Sequence, residues 1–171
     1  MVFMARIELH IIAPEKYFKG VLGIIKKQSK SSLIYVTTNK PYSVLVEDLK
    51  KNKINSDKIF FIDCISRHIQ QKENDVHNCV FIDSPSSLTS ISIAISDATA
   101  HFKGKKVLLL DSLSVLLIYN DANTIAKFSN FILNKMRSID VDTVILALES
   151  DEGKDVLKQV ESYADKVIGG K

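Results

Sequence analysis

With 171 residues, the chain is long enough to bury a sizeable core as one domain. Apolar residues make up 46% and charged residues 25%, which excludes a disordered chain, and a net charge of +3 leaves no footprint of a dedicated nucleic-acid binder. The start, "MVFMARIELHIIAP", carries Glu8 and His10 inside its apolar run, so it makes a poor signal peptide and is too short to span a bilayer.

In chain order, "RIELHII" (Arg6 to Ile12) reads as a strand, and Pro14 opens a helix over Glu15 to Gln28. "SLIYVTT" (Ser32 to Thr38) is β-branched and reads as a buried strand. Pro41 starts a second helix whose inner face is Tyr42, Leu45, Val46 and Leu49, and "KIFFIDC" (Lys58 to Cys64) is the third strand. The polar stretch Ser66 to Asn78 reads as a surface loop, and Cys79 to Pro85 as a short extended segment. Ser84 is expected to cap the next helix with Pro85 in its first turn, and Leu88, Ile91, Ile95, Ala98 and Phe102 form its apolar stripe. "KKVLLLD" (Lys105 to Asp111) is nearly continuous aliphatic, the mark of a strand covered on both faces. Asp121 or Asn123 is expected to cap a helix running to about Arg137 with Ile125, Phe128, Ile132 and Met136 inward. "DTVILALES" (Asp142 to Ser150) is a further buried strand. Ser150 is expected to cap a last helix carrying Val156, Val160 and Tyr163, and Asp165 to Gly170 opens a final strand that is cut short.

Strands alternating with helical segments imply an α/β fold: an open, mostly parallel sheet with helices on both faces, here as one domain over residues 1–171. Ligands of such sheets bind beyond the carboxyl ends of the strands, which draws attention to Asp111. A magnesium-nucleotide site needs a glycine-rich loop of backbone amides, a lysine on the phosphates and a carboxylate at the end of a buried strand. Asp111 suits the last role by position. The loop is absent: the chain has six glycines and nowhere G-x-x-x-x-G-K-[ST]. After the first strand stands "APEKYFKG", where Pro14 has no N–H to donate and Glu15 puts negative charge where a phosphate would sit. Lys16 and Lys19 are nearby, but free lysines do not rebuild a nest of amides. The plainer reading of Asp111 is a structural carboxylate accepting bonds from loop amides or a neighbouring hydroxyl.

Other chemistry finds less support. Thr37, Thr38 and Asn39 sit at a strand end, where they terminate the strand or contact a ligand. Asp63, Asp83 and Asp111 lie near strand ends and would bind a divalent cation if they converged, although Asp83 fits better in the capping turn of the Ser84–Pro85 helix. His10, His68, His77 and His101 offer no pair at metal-ligand spacing, and no G-x-S-x-G elbow exists. Ser112 and Ser114 read as local hydrogen-bonding residues. A phosphoacceptor role for Asp111 lacks its companion acids, and Lys154 falls in a helix. Cys64 and Cys79 read as reduced and buried, and the chain as cytoplasmic. Lysine groups at Lys26, Lys27 and Lys30, at Lys50, Lys51 and Lys53, and at Lys103, Lys105 and Lys106 fall at helix ends, where they complement exposed carbonyls; without interleaved aromatics they make no nucleic-acid platform.

Four pieces resemble the RecA-like ATPases of the KaiC/RadA type within the P-loop NTPase superfamily, especially their degenerate archaeal relatives. "SSLIYVTTNKP" with "VEDLKKNKIN" is similar to the strand and helix after the phosphate-loop helix, and "IFFIDCIS" to the next strand. "SPSSLTSISIAISDA" is similar to the segment ahead of the second acidic strand. "KVLLLDSLSVLLIYND" resembles the Walker B strand, followed by the helix and strand of "ANTIAKFSNFILNKMRSIDVDTVILALES". The resemblance implies a RecA-like P-loop NTPase fold with Asp111 at the magnesium-associated position. It also implies a phosphate loop where this chain has "APEKYFKG", and a water-activating glutamate where it has Asn39. Further strands would follow the residues near "VIGGK". Asparagine orients a water but cannot take its proton. The expectation is therefore a RecA-like domain that has lost its ATPase and has no cofactor. Its alternative is a residual binder of ATP and magnesium through Asp111, with Lys16 or Lys19 on the phosphates. The expected partner is another protein or a second copy in a homodimer, with "SVLLIY" (Ser114 to Tyr119) packed internally or forming the self-association surface.

Overall fold

The computed structural model describes residues 4–150 and 152–170. Seven strands carry the aliphatic runs: β1 (Ile7–Ile12), β2 (Ser32–Thr37), β3 (Ile59–Asp63), β4 (Cys79–Phe81), β5 (Lys106–Asp111), β6 (Asp142–Leu148) and β7 (Lys166–Gly169). They form one sheet in the order β4-β3-β2-β5-β6-β1-β7, and the pairings are parallel. Six helices connect them: α1 (Tyr17–Lys27), α2 (Tyr42–Lys51), α3 (Leu88–His101), α4 (Leu113–Tyr119), α5 (Ala122–Ser138) and α6 (Lys154–Tyr163). The result is the three-layer α/β architecture expected from the alternation of elements.

Strand residues of opposite parity feed two cores. Ile34, Val36, Leu108, Leu110 and Ile145 face α3, α4, α5 and α6. Leu33, Tyr35, Val107, Leu109 and Leu146 face α1 and α2. This two-sided burial explains why the central strands lack the polar alternation of a half-exposed sheet. Each fully buried Leu, Ile or Val contributes about 1.5–3 kcal/mol. Among the described residues, no helix is long and apolar enough to cross a membrane.

Several local expectations need correction. Pro14 opens a single 3-10 turn (Pro14–Lys16), and the α-helix proper starts only at Tyr17. Ser84 and Pro85 do not open α3. The Ser84 hydroxyl accepts the Ser86 N–H at 3.0 Å in a turn of its own, and the helix begins at Leu88 after Ser87. Ser150 likewise spends its hydroxyl on the Glu152 N–H at 3.1 Å, and Gly153, with φ of 73°, occupies the cap position of α6. Asp83 pairs with Arg67 at 3.2 Å instead of serving a cap. Asp121 is the cap of α5, accepting from the Thr124 N–H at 2.9 Å. The apolar run after Asp111 is a short helix, α4, which buries Leu113 and Leu116 and leaves Ile118 75% exposed.

Candidate functional site

β5 enters the middle of the sheet and delivers Asp111 to its carboxyl edge, between β2 and β6. The carboxylate is 4% exposed. Its two oxygens are both taken by phenols. The Tyr17 hydroxyl, from the first residue of α1, donates to Oδ1 at 2.5 Å, and the Tyr35 hydroxyl, from β2, donates to Oδ2 at 2.5 Å. Burial pushes the Asp111 carboxyl above the usual carboxylate range; the two phenols and the Lys40 charge act against that rise. Burial, followed by the Asp111 charge, holds both tyrosines protonated well above the ordinary phenol range.

The peptide beyond is clamped to β2. The Asp111–Ser112 bond is cis. Thr38 donates its hydroxyl to the Asp111 carbonyl at 3.0 Å and accepts the Ser112 N–H at 3.0 Å, and its own N–H reaches the Asp111 carbonyl at 2.8 Å. Ser112 caps α4 through the Val115 N–H, and Ser114 receives the Leu148 N–H of β6 at 2.8 Å. Ser112 is thus a local hydroxyl, as expected, whereas Ser114 ties α4 to the end of β6, 34 residues away.

The turn after β1 has few amides to offer an anion. Pro14 has none. The Lys16 N–H goes to the Ala13 carbonyl at 2.9 Å, and the Tyr17 N–H goes to the Pro14 carbonyl. Lys16 and Lys19 are exposed beside this turn, and Asn39 is exposed past the end of β2. Lys40 is the cation whose field reaches Asp111; it bonds Asp48 at 2.9 Å and lies 4.1 Å from the centre of the Phe18 ring. The sequence reading did not single out Tyr17, Tyr35 or Lys40 for this site. One signal was available: a tyrosine inside an otherwise aliphatic buried strand needs a partner for its hydroxyl.

Asp63 shares a sheet face with Asp111 across β2, because Thr37 is in register with both. It does not join a cation site. One oxygen accepts the Ile65 and Ser66 N–H groups at 2.9 Å, the other the Tyr42 N–H at 2.7 Å and the Ser66 hydroxyl at 2.6 Å. Asp63 therefore caps α2 from a neighbouring strand, where Pro41 supplies no side-chain cap. Among the described residues, no group of three or more His, Cys, Asp or Glu side chains could hold a metal ion. Cys64 is buried, Cys79 half-buried, and both are free thiols.

Comparison with known proteins adds the fold's relatives. No curated protein matches the chain. A KaiC-like protein from the hyperthermophilic archaeon Pyrococcus horikoshii superposes with a TM-score of 0.65 at 12% identity, covering 95% of this chain and 69% of that one. An uncharacterized protein from Pyrococcus horikoshii, solved in complex with an unknown peptide, gives 0.67 at 11% identity over 98% and 77% of the two chains. A solved ATPase domain gives 0.60 at 15% identity over 95% and 68%. Identities this low carry the architecture alone: a RecA-like, P-loop NTPase-type fold. Residues 24–169 match the model of a family of unknown function, DUF7504. That match spans the last turn of α1 and β2 through β7, and the chain is a member of that family.

Proposed function

We propose that the chain is a non-catalytic RecA-like domain that works as a regulatory or protein-interaction module. One observation carries the reading: both oxygens of Asp111, the carboxylate a magnesium ion would need, are held by Tyr17 and Tyr35 in a buried site. A cation would have to displace two charge-assisted hydrogen bonds, each worth about 1.5–3 kcal/mol. The adjoining turn has spent the Lys16 and Tyr17 amides that a phosphate would require. Two free thiols suit a reducing cytoplasm. The exposed Ile118 on α4 is the surface we assign to contact with a second copy or another protein.

The test is calorimetric titration of ATP and ADP, with and without magnesium, into wild type, Asp111→Ala and Tyr17→Phe. No heat of binding at millimolar nucleotide is expected in any of the three. Magnesium-dependent binding that disappears in Asp111→Ala would replace this reading with that of a nucleotide binder, with the exposed Lys16 and Lys19 as its phosphate contacts.

A further inference from the structure

At the opposite, amino-terminal edge of the sheet, a cavity of about 550 Å³ opens between the end of α1, the end of α2 and the starts of β2 and β3. That volume lies in the range of small-molecule sites, roughly 300–1,000 Å³. Its floor is aliphatic: Leu33 and Ile59 are buried, and Ile54 packs against the same core. Its rim carries Lys26, Lys53 and Lys58, all exposed, against a single acid, Asp57. None of the three lysines forms an ion pair among the described residues.

Complementing helix carbonyls does not account for all of these charges. At the end of α1, the Ile24, Ile25 and Lys26 carbonyls are taken by the Gln28 and Ser29 N–H groups. At the end of α2, the Ile54 N–H bonds the Leu49 carbonyl at 2.9 Å and the Lys53 N–H bonds the Lys50 carbonyl at 3.0 Å, a closed C-terminal cap. Lys53 belongs to that cap through its backbone alone, and Lys58 lies beyond it. Each helix end presents about half an elementary negative charge, so two of them leave the rim, at three lysines and one aspartate, positive by about one charge.

We propose that this cavity binds an aliphatic phosphate monoester. A phosphate monoester brings close to two negative charges and three acceptor oxygens to a rim of three lysines, where a carboxylate brings one charge and two oxygens. The lining has no aromatic ring to stack a base, so a nucleotide is disfavoured. The compact aliphatic floor takes the ester's carbon body. The same monoester headgroup occurs in soluble alkyl phosphates and in phosphatidic acid. The site is on the far edge of the sheet from Asp111 and does not depend on the fate of the nucleotide site.

The experiment is titration of n-butyl phosphate, with n-butylammonium as control, followed by two-dimensional amide NMR. Saturable shifts are expected at residues 28–31 and 53–59, with residues 15–17 and 111–114 unmoved. Lys53→Gly is the informative variant. Lys53 has φ of 56°, a left-handed conformation that glycine prefers, so this change removes the charge without straining the cap. Lys53→Gly and Lys58→Gln are each expected to weaken binding by about two- to five-fold. Lys127→Gln, on the opposite face in α5, carries the same loss of net charge and is expected to leave binding unchanged. Flotation with phosphatidic acid vesicles separates the sources: co-flotation weakened in Lys53→Gly marks a lipid headgroup, and butyl phosphate binding without flotation marks a soluble ester. Absence of saturable shifts at millimolar ester, equal shifts from butylammonium, or equal weakening by Lys127→Gln overturns the proposal.

Discussion

Removing the two phenols from Asp111 one at a time should have unequal effects. Tyr35 is fully buried, so Tyr35→Phe leaves Oδ2 of a buried carboxylate with no partner and no water to replace it. The loss expected at neutral pH is about 2–3 kcal/mol, the upper range for a charged acceptor stripped of its donor. Tyr17 is only half-buried at the carboxyl edge, where a water can take the place of its hydroxyl, so Tyr17→Phe should cost about 1 kcal/mol. At about 2–4 °C per kcal/mol for a domain of this size, the melting shifts separate clearly. The pH dependence adds a second reading. Burial raises the folded-state pKa of Asp111 above the unfolded value, so stability from this group is fully present below the unfolded pKa and lost as pH rises through the folded one. Phenols that donate to the charged form offset part of that loss. Protonating Asp111 makes them less important, so the deficit of Tyr35→Phe should shrink between neutral pH and the ordinary carboxylate value of about 4. Urea unfolding of the three proteins across that window measures it. Equal losses for the two variants, or a Tyr35→Phe deficit that widens in acid, would show that the carboxylate is not held as described.

Asp63→Ala strips the Tyr42, Ile65 and Ser66 N–H groups of their acceptor in one step, and a loss above about 3 kcal/mol is expected by urea unfolding. Gly169→Ala should loosen β7: at φ of 83° an added Cβ runs into the Ile11 carbonyl oxygen, so thermal unfolding should register about 2 kcal/mol or more. Ile118→Ser touches a side chain 75% exposed and should change stability by no more than about 0.5 kcal/mol, while lowering any self-association seen by sedimentation velocity. An oligomer that persists unchanged in this variant would remove α4 from the contact surface.

The sheet was legible because its central strands are covered on both faces, and "LIYV", "VLLL" and "VILAL" therefore carry no polar alternation that could be mistaken for another period. The helix α4 was not. Its residues LSVLLIY are apolar around the whole circumference and span only 7 positions, so no stripe distinguishes a helix from a continuing strand. The caps at Ser84 and Ser150 misled for a different reason. Each serine closes a turn two residues long on its own side chain, and the same hydroxyl chemistry serves turns and helix ends alike. Two of the lysine groups, at the ends of α1 and α2, were visible in the sequence. The convergence of Lys26 and Lys53 with Lys58 on one cavity depends on α1 and α2 lying on the same face of a parallel sheet, which no local pattern encodes.

Asp111 shows most clearly where local reading stops. Its position at the end of a buried aliphatic strand was plain, and a structural carboxylate bonded by a neighbouring hydroxyl was already the plainer account of it. The identity of the donors was out of reach: Tyr17 lies 94 residues away and Tyr35 lies 76. They meet because β5 inserts beside β2 while α1 crosses the sheet face above β6, a consequence of strand order. The same order links the short turn after β1 to the filling of the carboxylate. A bulky first residue of α1 reaches Asp111 only when the turn ahead of it is short, and Pro14–Lys16 is a single 3-10 turn. The short turn and the phenol on Asp111 are therefore linked: the turn sets where α1 begins, and Tyr17 is its first residue.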